Sequence, residues 1–199
     1  MLIKKGNTRI VWLLPLFGIA IKFPRFYLKI TYLYLIRYVF PSLKYHGWKK
    51  TFLTHVGVDP DLLGSVFGNL FGGIYHNWSE FLFFLRTRHG FCQPTYFSLF
   101  GLVNIQKLGE QMDLGWVYEK EWWWNRVYHR FLVPILEKSK YSDGHHFFNQ
   151  NNFTFYKGKL FLLDYGSRVT RKILMKQREE LEVLELPLPQ NDAPKPVFC

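Results

Sequence analysis

The chain has 199 residues, 48% of them apolar and 20% aromatic, enough for one domain with a packed core, which excludes disorder for its bulk. Its formal charge of +11, from 26 Lys and Arg against 15 Asp and Glu, favours polyanionic partners such as nucleotides, nucleic acid or anionic lipid without choosing among them. The two cysteines, Cys92 and Cys199, lack the spacing of a zinc site or a disulfide framework and fit a reducing, cytoplasmic setting.

In chain order, residues 8–24 read as an antiparallel hairpin, with the apolar runs 9–14 and 19–23 joined by a turn containing Pro15 and Gly18. The same stretch is apolar enough to pass for a signal-peptide core, but Pro15 and Gly18 interrupt it and no small-residue cleavage site follows. On the second strand Lys22 points opposite to Ile21 and Phe23, so it needs an anionic partner or an exposed face. Residues 26–40 predict a helix ended by Pro41. It is too short and too charged, with Lys29 and Arg37, to cross a bilayer. Its aromatic residues, together with Lys44, Lys49 and Lys50, suit an interfacial position peripheral to a membrane.

A looser stretch through Pro60 precedes a glycine-punctuated segment, Gly64 to Gly73, expected as loops and short turns. Asn77 followed by Glu80 is the pattern of a helix start, with an apolar run to Leu85 and an end near Gly90. Residues 95–100 and 102–108 predict a second hairpin about Gly101. Residues 114–140 have helical periodicity, with Trp122, Val127, Phe131 and Ile135 as candidate core positions. A polar loop, 142–152, carries His145, His146 and several Asn. The strand 153–155, a turn at 156–159 and the strand 160–163 follow, running directly into Asp164-Tyr165-Gly166. A charged helix over 169–184 and a mobile Pro-rich tail over 186–199 complete the chain.

The order Ile19-Ala20-Ile21-Lys22, a helix with Glu80, two strands, a helix, an Asn-rich loop and a hairpin ending in Asp164-Tyr165-Gly166 resembles the protein-kinase-like fold. The resemblance implies an α+β protein whose small lobe is an antiparallel sheet with one helix, followed by a truncated helical second lobe. It covers about residues 9–173, in one domain spanning 1–185 with an insertion over 26–75. It implies ATP and Mg²⁺ as cofactors, with Lys22 on the phosphates, Glu80 orienting Lys22, and Asp164 as a metal ligand. The loop asparagine of that family lies about thirteen residues before the metal-binding aspartate, which selects Asn151 or its neighbour. Asn152 is preferred, because Asn152-Phe153-Thr154-Phe155 resembles the strand that leaves such a loop.

The resemblance weakens at three places. Five positions before Asn151 or Asn152 stands His146 or Phe147, so the nearest acid for the catalytic base is Asp143. No glycine-rich phosphate loop precedes the first hairpin. Only 35 residues follow Asp164, too few for a lobe that grips a peptide. The acceptor expected is therefore a hydroxyl on a small or lipid-linked molecule. Two alternatives stay open: a catalytically inert pseudokinase that binds a membrane or protein partner through 26–50, and a basic nucleic-acid-binding protein.

Overall fold

A computed structural model describes residues 2–6, 8–56, 65–109, 123–141, 144–156 and 159–184. Within them the chain is mixed α+β. Strands β1 (Leu2–Lys5), β2 (Arg9–Leu14), β3 (Ile19–Pro24), β4 (Thr95–Leu99) and β5 (Val103–Lys107) form an antiparallel sheet in the order β1-β2-β3-β5-β4. The first predicted hairpin is present: Val11 pairs with Lys22, and a single 3-10 turn, Pro15–Phe17, reverses the chain. Gly18 closes that turn at φ 61°, where a side chain would be strained. The second is also present, turned by Phe100 and Gly101, both at positive φ, which matches the twist of the strands. β1 was not expected from the sequence, and it pairs with β2 at the sheet edge.

Three helical expectations are corrected. The helix over 26–40 does not stop at Pro41. α1 (Leu28–Tyr34) passes through a wide π-type turn, Leu35–Val39, into α2 (Phe40–Thr51), whose first turn contains Pro41. The real break is Gly47, at φ 75° and ψ 169°.

Gly68, Gly72 and Gly73 belong to one long helix, α3 (Val66–Thr87), capped by Ser65, whose hydroxyl accepts from the Gly68 amide at 2.9 Å, while Gly64 lies outside the described residues. Asn77 is therefore a mid-helix residue and no cap. Its glycines serve proximity: a Cβ on Gly73 would lie 2.4 Å from the Thr8 carbonyl oxygen and 2.9 Å from the Pro24 ring. A helix that must lie this close to a sheet uses residues that loops also favour, and the composition alone does not separate the two.

The charged C-terminal helix is two pieces, α6 (Arg168–Lys176) and α7 (Arg178–Glu182), interrupted at Gln177. Between α3 and α6 come a π-type segment Trp123–Leu132, α4 (Val133–Ser139), the short α5 (Gly144–Phe148) and the hairpin β6 (Phe153–Tyr156) and β7 (Lys159–Leu162). Val127 and Ile135 are buried and Phe131 packs on the core, as their periodicity implies; Trp122 and the 186–199 tail lie outside the described residues. The main core joins α3 (Phe83, Phe84), Phe91, the β6–β7 hairpin (Leu160, Leu162), Tyr165 and α6 (Ile173, Leu174). β7 is tied to the segment before β4 by the amide of Gln93 on the Leu162 carbonyl and that of Leu162 on the Phe91 carbonyl. Asp164 is thereby held at the foot of the sheet.

Candidate functional site

Strand alternation puts Ala20 and Lys22 on one face of β3, with Ile21 and Phe23 on the other. Helix α3 packs over that face, and Lys22 is buried, 5% exposed. Helix α3 lies across β3, β4 and β5, and a stripe of Asn69, Gly73, Asn77, Glu80 and Phe84 faces the sheet. Glu80 is fully buried on that stripe. Lys22 Nζ donates to Glu80 Oε2 at 2.9 Å and to the carbonyl of Leu163, the residue before Asp164, at 2.8 Å. The expected pair is present. The capping box between Asn77 and Glu80 is not.

Arg9 completes the cluster, and the sequence reading passed it over. Its guanidinium donates to Glu80 Oε1 and forms an ion pair with Asp164 Oδ1. The amide of Tyr165 also reaches Glu80 Oε1, at 3.3 Å. The signal was in the alternation: Val11 stands opposite Lys22 in the ladder, so Arg9, two residues earlier, shares its face.

Two cations and two carboxylates thus form a neutral, largely dry quartet. Lys22 is lowered from its ordinary range, first by burial and further by Arg9, against the pull of Glu80. Arg9 is raised, because the Asp164 and Glu80 charges outweigh the burial that opposes them. Asp164 is lowered far below the ordinary carboxylate range. Burial works against that shift, and the Arg9, His146 and Lys22 cations overcome it.

The loop converges on the same corner. The amide of Leu163 donates to the Asn152 carbonyl at 2.7 Å, and Asn152 Nδ2 donates to the His146 carbonyl at 3.0 Å. His146 Nε2 lies 3.8 Å from Asp164 Oδ1. Lys22, Glu80 and Asp164, expected in one site from positions far apart in sequence, are therefore brought together, Asn152 joins them through its backbone carbonyl with its side-chain amide on the His146 carbonyl, and Asp143 lies outside the described residues. Asn151 is exposed, and Asn152 half-buried. His145 contributes only its backbone to the description.

Gly166 does not have a positive φ, and what it provides is space. A Cβ there would lie 2.7 Å from the His76 carbonyl oxygen, so the glycine lets this segment press against α3. Tyr165 anchors the segment. Its buried hydroxyl donates to the Gln93 carbonyl at 2.8 Å and meets Thr95 Oγ1 at the same distance.

Compared with protein-family models, curated proteins and solved structures, the chain has no significant match.

The fit of a metal can be judged from Asp164. Its Oδ1 is buried against the Arg9 guanidinium, with His146 Nε2 at 3.8 Å, so a metal at this carboxylate would have to share it with Arg9. No group of three His, Cys, Asp or Glu converges among the described residues. A Mg²⁺ ion held by one carboxylate, one amide and phosphate oxygens needs no such group. Nearby, a cavity of about 470 Å³ is lined by Tyr141, Arg168, Arg171, Lys172 and Lys176, with Phe83 and Met175. Arg171 on its wall donates to the Gly166 carbonyl and to the Tyr75 hydroxyl. Among the described residues no acidic side chain lines it.

Proposed function

We propose that the chain is a kinase-like protein that binds Mg²⁺-ATP and transfers a phosphoryl group to a hydroxyl on an anionic, non-peptide acceptor. One observation carries this: a strand lysine and a helix glutamate, Lys22 and Glu80, form a buried pair whose lysine also bonds the backbone beside Asp164. In protein kinases a lysine–glutamate pair of this kind and a metal-binding aspartate must be in place together. Lys22 would neutralise phosphate charge, and Glu80 would keep the ammonium in place. Asp164 and Asn152 would hold Mg²⁺, which supplies charge neutralisation between the phosphates. Asp143, in the adjoining loop, is the base proposed for the acceptor hydroxyl. The basic cavity beside Gly166 supports an acceptor bearing a phosphate or carboxylate.

A second function is favoured by Arg9. It neutralises Asp164 from within the protein, so the quartet is complete without a metal, as an inert interaction module would need. The two differ in their response to nucleotide. Ligand at about a hundred times its dissociation constant stabilises by about 2.7 kcal/mol, or roughly 5–10 °C in Tm for a chain of this size. A shift of that order with Mg²⁺-ATP, lost in Asp164→Asn and in Lys22→Met, is the result expected of the kinase-like function. Wild-type protein whose Tm ignores Mg²⁺-ATP at millimolar concentration is the inert module.

A further inference from the structure

The segment between β3 and α3 is not used by the quartet or by the basic cavity. It forms a helical hairpin. In a straight helix Tyr34 and His55 would be separated by about 30 Å. Here the Tyr34 hydroxyl is 3.2 Å from His55 Nδ1, and Ser42 Oγ is 2.9 Å from Thr51 Oγ1. The chain therefore runs out through α1 and α2, reverses at Gly47, and returns through Trp48 to Val56. Only glycine adopts the Gly47 angles readily, φ 75° and ψ 169°.

This arm has an unusual surface. Thr31, Val39 and Thr51 are buried, but Leu28, Ile30, Tyr32, Leu33, Ile36, Tyr38, and others along it are exposed. At the tip Tyr45 is 75% exposed and Trp48 67%. A soluble monomer rarely presents so large a contiguous apolar surface to water. Charge identifies the occupant. Residues 26–56 contain five Lys or Arg, namely Lys29, Arg37, Lys44, Lys49 and Lys50, and no Asp or Glu. All five are exposed, and none has a carboxylate within ion-pair distance among the described residues.

Tyr and Trp at a tip, lysines beside them and aliphatic side chains along the shaft make the composition that settles at the headgroup boundary of a bilayer. No helix among the described residues is long and apolar enough to cross a membrane, so the arm would lie in the interface. We propose that this hairpin docks the protein on a membrane surface rich in anionic lipid, with Tyr45 and Trp48 entering the headgroup layer and Lys44, Lys49 and Lys50 contacting lipid phosphates and carboxylates. The docking is independent of the nucleotide site, and each can fail without the other.

The test is co-sedimentation of the full chain with vesicles of phosphatidylcholine alone and of phosphatidylcholine containing phosphatidylserine, at low and high salt. Binding to the serine-containing vesicles alone, weakened by salt, is expected. Each cation lost from a membrane contact lowers partitioning by about fivefold, so Lys44→Gln/Lys49→Gln/Lys50→Gln should lose about a hundredfold. Tyr45→Ser/Trp48→Ser should also weaken binding, and both variants should melt with the wild type because the substituted side chains are exposed. The proposal is overturned by equal binding to both vesicle types, by binding to neither, or by variants that bind as wild type. It is equally overturned if the arm binds poly-glutamate but no vesicle, since the occupant would then be an acidic protein.

Discussion

Replacing Glu80 with Gln keeps the shape of the side chain and removes the charge on which Arg9, Lys22 and the Tyr165 amide converge. Arg9 and Lys22 side chains are 7% and 6% exposed, so neither can turn to water without moving a strand. The variant leaves two buried cations to share Asp164, a carboxylate that Lys22 does not bond directly. Removing one partner of a buried pair costs about 3–5 kcal/mol. For a chain of this length that lowers Tm by about 6–20 °C. The assay is thermal unfolding followed by circular dichroism, with Lys22→Met and the double variant measured alongside. The double variant should recover part of the loss, because Lys22→Met removes one of the two stranded charges. A Glu80→Gln protein melting within a degree or two of the wild type, or a strictly additive double variant, would refute the buried quartet and the site built on it.

The acid limb of stability should depend on Asp164. Its folded-state pKa lies below the ordinary value of 3.8, so the stabilisation is complete above that value and is lost as pH falls below it. Urea midpoints measured downward from pH 6 should fall steeply below about pH 4 in the wild type and less steeply in Asp164→Asn; equal slopes would exclude the ion pair with Arg9. Gly73→Ala, which in an ordinary helix would gain up to about 1 kcal/mol, should instead lose about 1–3 kcal/mol, because its methyl meets the Thr8 carbonyl and Pro24. A Tm above that of the wild type would show that α3 is not pressed against the first hairpin.

Both hairpins were legible because each has two β-branched or aromatic runs around a turn residue: Pro15 and Gly18 in one, Gly101 in the other. Lys22 was legible for a related reason, since a lysine in strict alternation with Ile21 and Phe23 must either find an acid or face water. What the sequence hid is long-range. Gly68, Gly72 and Gly73 suggested a loop, and only the nearness of Thr8 and Pro24 explains them within α3. Arg9 was missed, because its partners Glu80 and Asp164 lie 71 and about 155 positions further along the chain. Pro41 suggested a stop, whereas it starts a new helical segment after a π-type turn. Local rules located the elements, and the approach of one element to another decided their lengths.

Asn77 has a mechanical consequence. One turn before Glu80, its side-chain amide donates to the Gly101 carbonyl at 2.9 Å, while its backbone carbonyl accepts from Asn104 Nδ2 at 2.6 Å. The helix is thus bolted to the β4–β5 hairpin at the level of its glutamate, with the Ile74 carbonyl too near Gly101 to admit any side chain between them. Swinging this helix outward, a common means of switching off a lysine–glutamate pair, would break buried bonds with no water to replace them. The Lys22–Glu80 pair carried by this helix is thereby fixed in place within the fold.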